Sequence, residues 1–164
     1  KGAQSIIESR FTKQAALNQY WIDYANTHGY VETMPDRSVD PDRGYPLQCE
    51  FTFRQKVRPT VPLNYHVQGT AMWWMCRAMV RCQEFLDELN RKCKKPDHYR
   101  LIMQVHDELV FDFPKGKGTE PWRTNKPIID ELRRLMAMGG DDIGLPTPTS
   151  CTYHEHNWSK GLAV

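Results

Sequence analysis

The residues with the clearest capacity for chemistry are three consecutive ionisable side chains, His106, Asp107 and Glu108. They stand between two stretches, residues 99–105 and 109–113, in which strand-forming apolar side chains alternate. The pattern predicts a hairpin whose strands hold the three residues at the turn. A carboxylate fixed at a strand end is the kind of ligand that Mg²⁺ uses when it keeps most of its water molecules and binds phosphates.

A solvated polar tip is the alternative explanation of this turn, since Asp is common in turns. Adjacent strand residues point to opposite faces, so Asp107 and Glu108 are not expected to be equal ligands of one metal ion. A site that holds two metal ions about 4 Å apart needs at least one further carboxylate. Asp36, Asp40 and Asp42 are available, but they fall in a predicted loop with nothing to orient them. The residues therefore predict half of a two-metal site.

Helices must position this hairpin. A long helix is predicted over residues 65–95, where one stripe of apolar residues recurs at steps of three and four and Pro96 stops it. An earlier helix is predicted from Ile6 to a stop at Gly29. A shorter amphipathic helix after the hairpin is expected to close at Gly139 and Gly140.

The strand assignments are less complete. In the first hairpin strand, the alternation places Tyr99, Leu101, Met103 and Val105 on one face. Residues 48–63 begin like a strand and then contain two prolines, so their structure stays open. The tail is expected to contribute one edge strand.

Composition is that of a folded globular chain, with 40% hydrophobic and 26% charged residues in a length of 164. The net charge of +2 is too small to indicate nucleic-acid binding by itself. The sequence contains neither a membrane-spanning apolar run nor a signal peptide, and its five cysteines form no CxxC pair. These features predict a soluble intracellular protein with free thiols. Because the chain begins with Lys1, we expect it to be a piece of a longer protein.

Two other clusters have a functional and a structural interpretation. The segment "MWWMCRAM" around Trp73 and Trp74 could stack on nucleic-acid bases, but a helix this apolar more often packs inside the protein. Cys151, His154 and His156 could form part of a zinc site, but no fourth ligand is evident. The structural interpretation is favoured for both.

Three ordered motifs together resemble one known family. "QVHDELV", from Gln104 to Val110, resembles motif C of family A, DNA polymerase I-like DNA polymerases. Asn64, Gln68 and the Gly-Thr-Ala that follows match that family's N-x-x-x-Q-G-T-A helix start, and "GYVET" matches the segment that leads into a loop near the fingers. The chain departs from the family pattern at Trp73, where an Asp is usual, and in the extra residues between Arg58 and Gln68.

The resemblance implies a role for each matching residue. Asp107 would be a metal-binding carboxylate, Glu108 a supporting acid and His106 a neighbour of the primer terminus. Gln68 and Asn64 would contact the primer–template duplex, and so would Arg58. In such polymerases two Mg²⁺ ions activate the primer 3′-hydroxyl and stabilise the pyrophosphate leaving group.

The resemblance also implies a fold and partners. We expect an α+β chain in which residues 1–60 are the C-terminal end of the fingers and residues 61–164 are the palm, a small antiparallel sheet backed by the long helix. The partners would be primer–template DNA, deoxynucleoside triphosphates and the upstream remainder of the polymerase, and no membrane. Because motif A and the nucleotide-binding fingers helix are not in this sequence, the chain alone is expected to be inactive.

Two other functions are compatible with the sequence. The chain could be a non-catalytic module that binds duplex DNA, with the His-Asp-Glu turn as a vestige. It could also be a magnesium-dependent nuclease, which would require a second carboxylate within the chain.

Overall fold

The computed structural model describes residues 12–51, 56–94, 98–115, 120, 122–155 and 161–164. The helices in these ranges are α1 (Thr12–His28), α2 (Val61–Cys93) and α3 (Trp122–Ile143). Three antiparallel pairs of strands join β1 (Tyr30–Glu32) to β2 (Pro46–Gln48), β3 (Arg100–Val105) to β4 (Glu108–Asp112), and β5 (Thr152–Tyr153) to β6 (Leu162–Ala163). Helices and small antiparallel sheets together confirm the predicted α+β class.

The described chain forms two compact units that divide within α2, the first ending at Trp73 and the second beginning at Trp74. The predicted division into a fingers part, residues 1–60, and a palm part, residues 61–164, stays a prediction. None of the described helices has the length and hydropathy needed to cross a bilayer.

The first unit has its own hydrophobic core. Its buried members come from α1, β1 and the segment after β2: Trp21, Ala25, Val31, Cys49 and Val57. Gly29 ends α1 with a φ of 83°, and its amide donates to the Ala25 carbonyl at 2.8 Å. The predicted stop is therefore confirmed, whereas the predicted start near Ile6 lies outside the described residues.

The region that the sequence left open begins with the last residue of β2, and among its described residues Phe51 and Val57 form an isolated antiparallel bridge. Helix α2 then begins at Val61, four residues before the predicted start, because Pro62 fits the first turn, where a helix needs no N–H donor. The helix ends at Cys93 and is followed by Lys94 with a φ of 54°.

The second unit is built on the packing of α2 against α3 and the β3–β4 hairpin. Cys82, Leu86 and Leu132 are buried at its centre. Side chains of the hairpin pack against them on one face, including Leu101, Leu109, Phe111 and Phe113.

The predicted face assignment of β3 is wrong beyond Leu101. Leu101 pairs with Phe111 and Met103 pairs with Val110, so the register shifts by one residue at Ile102. Because of this bulge, Met103 lies on the face opposite Leu101, and 40% of its surface is exposed. Val105, which pairs with Glu108, lies on the same side as Met103.

The predicted end of the last helix is also wrong, since α3 continues to Ile143. Gly139 and Gly140 are buried, and a Cβ on Gly139 would clash with the indole of Trp74. The helix ends at Gly144, whose φ is 72°, and the Leu145 amide donates to the Gly140 carbonyl at 2.8 Å. The two glycines serve close packing rather than termination.

Candidate functional site

The hairpin turn consists of two residues, His106 and Asp107, between the paired residues Val105 and Glu108. His106 has a φ of 53°, in the left-handed region that favours glycine. The side-chain amide of Gln104 donates a hydrogen bond to the His106 carbonyl and braces the turn from the preceding strand. A short, braced turn of this kind fixes the direction in which its side chains leave the backbone.

The base of the hairpin is attached to α2 by Asn90. Its side-chain amide donates to the Tyr99 carbonyl at 2.9 Å, and its side-chain oxygen accepts from the Tyr99 amide at 3.0 Å. Arg100 and Asp112, opposite each other at the same end, form an ion pair with a distance of 2.5 Å. The hairpin is thus held at its base by hydrogen bonds and along one face by the core, while its tip projects.

Both carboxylates of the tip are exposed. Within the described ranges, neither Asp107 nor Glu108 forms a hydrogen bond or an ion pair. The residues Asp107 and Glu108 are among those that border a cavity of about 700 Å³ in the second unit, together with Arg133, Tyr153 and His154. Two adjacent acidic residues are thus exposed at the tip, without a side-chain partner among the described residues.

This arrangement fits a hard cation such as Mg²⁺, which prefers carboxylate oxygens and tolerates water at its other positions. In the part of the chain that the structure describes, no group of three or more His, Cys, Asp and Glu side chains is placed to hold a metal ion. Asp107 and Glu108 would accordingly form a partial ligand set. The assignment of catalytic and metal-binding roles to them stays a prediction.

The prediction that Asp36 lies in a loop with nothing to orient it is wrong. This carboxylate is only 1% exposed, and its Oδ2 accepts from the Trp73 indole N–H at 3.0 Å. Its Oδ1 accepts from the amide and the hydroxyl of Ser38 at 2.9 and 2.6 Å. The sequence contained one overlooked signal, because Asp followed two residues later by Ser is typical of an Asx turn. The partner on α2 had no local signal.

Asn64 and Gln68, the predicted duplex contacts, are exposed on one face of α2. They are four residues apart, which is the spacing that places two side chains above each other on a helix. Val67 and Met72 on the same stretch are also exposed, by 57% and 53%. The first unit thus presents a helix surface that carries two amide side chains.

The next two residues of the motif point the other way. Gly69 faces Leu47 of β2 so closely that a Cβ would clash with that side chain. Thr70 is buried, and its hydroxyl accepts from the Met34 amide at 2.8 Å while it donates to the His66 carbonyl at 2.6 Å. Gly69 and Thr70 therefore attach α2 to the strands and loop of the first unit.

Arg58 is exposed in the segment before α2, and its carbonyl accepts from the Val61 amide at 3.0 Å. It does not lie on the helix surface that carries Asn64 and Gln68, so its predicted duplex contact has no further support from the fold.

His106, Asp107 and Glu108 are brought together at one turn of the second unit. Asn64 and Gln68 are brought together on the first.

Trp73 and Trp74 are used in packing, as the structural interpretation predicted. Trp73 packs against Tyr45 with ring centroids 3.9 Å apart, and the Trp74 indole donates to the Met136 carbonyl at 3.2 Å. Neither ring is fully exposed. In the possible zinc cluster, His156 lies outside the described residues, while Cys151 and His154 line the cavity.

Comparison with known proteins gives one family. The model of DNA polymerase family A matches residues 1–150. DNA polymerase I of Deinococcus radiodurans is 27% identical over 146 residues, which are 87% of this chain and 14% of that protein. The thermostable DNA polymerase I of Thermus aquaticus is 30% identical over 147 residues, which are 87% of this chain and 16% of that protein.

A third relative, DNA polymerase I of Lactococcus lactis, is 30% identical over 118 residues, or 70% of this chain and 12% of its own length. This chain therefore spans 12–16% of the length of these three relatives. No solved structure gives a significant match.

Proposed function

We propose that this chain, which belongs to DNA polymerase family A, supplies the motif C carboxylates and a duplex-binding helix of a template-directed DNA polymerase. The reaction would be nucleotidyl transfer from a deoxynucleoside triphosphate to a primer 3′-hydroxyl. The observation that supports it most is the tip of the β3–β4 hairpin, where Asp107 and Glu108 are exposed, adjacent and without a partner in the part of the chain that the structure describes.

Asp107 would hold a magnesium ion, and Glu108 would support it from the first position of β4. A bound magnesium ion would supply stabilisation of the charge that develops on the 3′-oxygen and on the pyrophosphate. The chain would contribute orientation, since the Gln104 bond to the His106 carbonyl and the Asn90 bonds to Tyr99 hold the backbone of the hairpin that carries both carboxylates. His106, beside them, would lie against the primer terminus.

Asn64 and Gln68 would donate hydrogen bonds to the minor groove of the primer–template duplex. The acceptors in that groove are similar for all base pairs, so an amide donor can test the shape of a pair without reading its sequence. The exposure of both amides on one helix face supports this role. In the same proposal, residues 1–60 belong to the fingers and residues 61–164 to the palm.

A two-metal site requires a further carboxylate, which would come from the upstream part of the polymerase. The isolated chain should therefore not extend a primer. Metal-dependent cleavage of DNA by the isolated chain would instead favour the nuclease alternative.

Nucleotide incorporation by a chimera tests the proposal. The chimera would carry this chain in place of the matching C-terminal segment of one of the related DNA polymerase I proteins. Asp107→Asn should lower incorporation by at least 100-fold, because the oriented charge is lost, and should leave primer–template affinity unchanged. Asp112→Asn is the matched control, since Asp112 is on the same hairpin but is paired with Arg100. Equal activity of the two variants would refute the role of Asp107.

Binding of primer–template DNA by the isolated chain tests the duplex surface separately. Loss of one hydrogen bond in Gln68→Ala should weaken binding about 3- to 10-fold. Gln83→Ala is the control, because Gln83 is exposed on the same helix and its amide donates to Asp87. If DNA binding depends on Gln68 but nucleotide incorporation by the chimera does not depend on Asp107, the non-catalytic module is favoured.

A further inference from the structure

We infer that His66 is a positioning residue for the proposed duplex contacts: its imidazole fixes the rotation of α2 on strand β1, and so the direction in which Asn64 and Gln68 leave the helix. The inference rests on the proposed function, because it concerns the placement of the two amides that are proposed to bind DNA. His66 occupies one of the three positions that the N-x-x-x-Q pattern leaves unspecified. Neither the motif nor the comparisons therefore assign it a role.

His66 makes a directional contact between α2 and β1. Its Nδ1 is 2.6 Å from the backbone carbonyl oxygen of Glu32, which is the last residue of β1. A carbonyl oxygen only accepts, so Nδ1 carries a proton and donates it to this bond. The two residues are 34 positions apart in the chain, so the bond joins two separate elements of the first unit.

The imidazole of His66 also packs against α1. It is stacked on the indole of Trp21, with 4.3 Å between the ring centroids and 29° between the ring planes. Trp21 is 8% exposed and belongs to the core of the first unit. Because the stack restricts the ring, the direction of its Nδ1–H group is fixed by α1, while β1 supplies the acceptor.

Helix geometry connects this contact to the two amides. Each residue of an α-helix advances by about 100°, so the His66 side chain leaves α2 about 160° away from both Asn64 and Gln68. The amides are exposed, and the imidazole is half-buried on the opposite side of the helix. A rotation of α2 about its axis would move all three side chains together. A contact that prevents this rotation therefore determines where the amides point.

Other contacts of these helix turns do not fix the rotation in the same way. Val61, Leu63 and Tyr65 pack against the core of the first unit. Hydrophobic contacts are non-directional, so they favour burial of these side chains without selecting one rotation of the helix. The Thr70 hydroxyl is bonded to the loop after β1, six residues beyond Asn64. The bond from His66, in contrast, lies within two residues of both amides.

The test is primer–template binding by the full chain, measured by fluorescence anisotropy at low salt. His66→Phe keeps a ring that can stack on Trp21 but removes the donor to the Glu32 carbonyl. Both amides are then displaced, so the variant should bind at least about 3-fold more weakly than the wild type, which is the lower value expected for loss of one amide contact.

His28→Phe is the matched control. His28 is also stacked on an aromatic ring, that of Tyr24, with 4.1 Å between the centroids. Its Nδ1 is 2.9 Å from the Tyr24 carbonyl oxygen. The substitution therefore removes the same kind of bond and keeps the same kind of stack, but both contacts lie within α1. His28→Phe should leave the affinity for primer–template DNA unchanged.

A comparison in a second background separates positioning from a general loss of folded protein. When Asn64→Ala and Gln68→Ala are combined, the chain has no amides to position and retains only its other DNA contacts. Addition of His66→Phe to this background should cause no further loss of affinity. A loss of folded protein would instead lower the affinity by the same factor in both backgrounds, and that result would refute the positioning role.

Two polar substitutions test whether the hydrogen bond is the positioning contact. Nδ2 of asparagine is bonded to Cγ, as Nδ1 of histidine is, whereas Nε2 of glutamine is one bond further out. His66→Asn should therefore bind within about 2-fold of the wild type, and His66→Gln should bind as weakly as His66→Phe. Equal affinities of the Asn and Gln variants would refute the inference. If His66→Phe does not fold, this pair still decides the outcome.

Two results separate this inference from the proposed function. If Gln68→Ala weakens binding but His66→Phe does not, the positioning role is wrong and the duplex surface stands. If the wild-type chain does not bind primer–template DNA at low salt, both proposals fail.

Discussion

The left-handed backbone of His106 gives a prediction about stability that is independent of any catalytic role. A non-glycine residue in this conformation costs about 1–2 kcal/mol, because its Cβ crowds the following carbonyl. Glycine avoids that cost but loses about 0.5–1 kcal/mol through its greater freedom in the unfolded chain. His106→Gly should therefore be more stable than His106→Ala by about 0.5–1 kcal/mol.

Thermal unfolding of the full chain can measure this difference. For a chain of this length, 1 kcal/mol corresponds to about 2–4 °C in the unfolding midpoint. We expect the glycine variant to unfold about 1–4 °C above the alanine variant. Because the His106 side chain is exposed, its removal should add little to either value.

Ser150 provides the control. It is exposed in a loop of the same unit, and its φ is not positive. At such a position alanine should be the more stable substitution, by about 0.5–1 kcal/mol. If glycine and alanine show the same order of stability at both positions, the turn at His106 does not have the conformation described here.

Two further predictions concern the core of the second unit. Leu86→Ala should lower the free energy of unfolding by about 2–5 kcal/mol, because Leu86 is 0% exposed and the loss of its side chain leaves a cavity. Val80 is 57% exposed on the same helix, so Val80→Ala should change the free energy of unfolding by about 0.5 kcal/mol or less. Urea titrations measure both values. If the two variants lose similar amounts of free energy of unfolding, the packing of α2 described above is contradicted. Burial raises the pKa of Cys82 to about 12, so only about one Cys82 thiol in 10⁴ is ionised at pH 8. Cys93 is exposed, so an aromatic disulfide reagent should modify it before Cys82. Peptide mapping of the first modified site checks this order, and rapid modification of Cys82 in the folded protein would contradict its burial.

The sequence predicted the elements whose signals are local. The end of α1 follows from the freedom of Gly29 to adopt a positive φ, and the apolar stripe of α2 follows from helical periodicity. The hairpin turn was predicted because the strands on both sides alternate and the polar residues separate them. In each case the deciding residues belong to one element or to two neighbouring elements of the chain.

The predictions that were wrong depend on contacts between residues that are distant in the sequence. The bulge at Ile102 depends on how β3 pairs with β4, and alternation along one strand does not report that register. Gly139 and Gly140 were interpreted as a helix end, but Trp74, which is far away in the chain, requires the absence of a side chain at Gly139. Asp36 was dismissed for the same reason, because its partner Trp73 is 37 residues away.

The motif at the start of α2 combines two tasks that the helix geometry separates. Asn64 and Gln68 are four residues apart and share the exposed face, whereas Gly69 and Thr70 follow at steps of 100° and turn toward β2 and the loop. Substitution of the two amides should therefore affect contacts with DNA without a large cost in stability. A side chain added at Gly69 would clash with the end of the Leu47 side chain, so Leu47 would have to move to another position. A motif that is read as one signature thus consists of two residues that we propose to contact DNA and two residues that hold the helix in place.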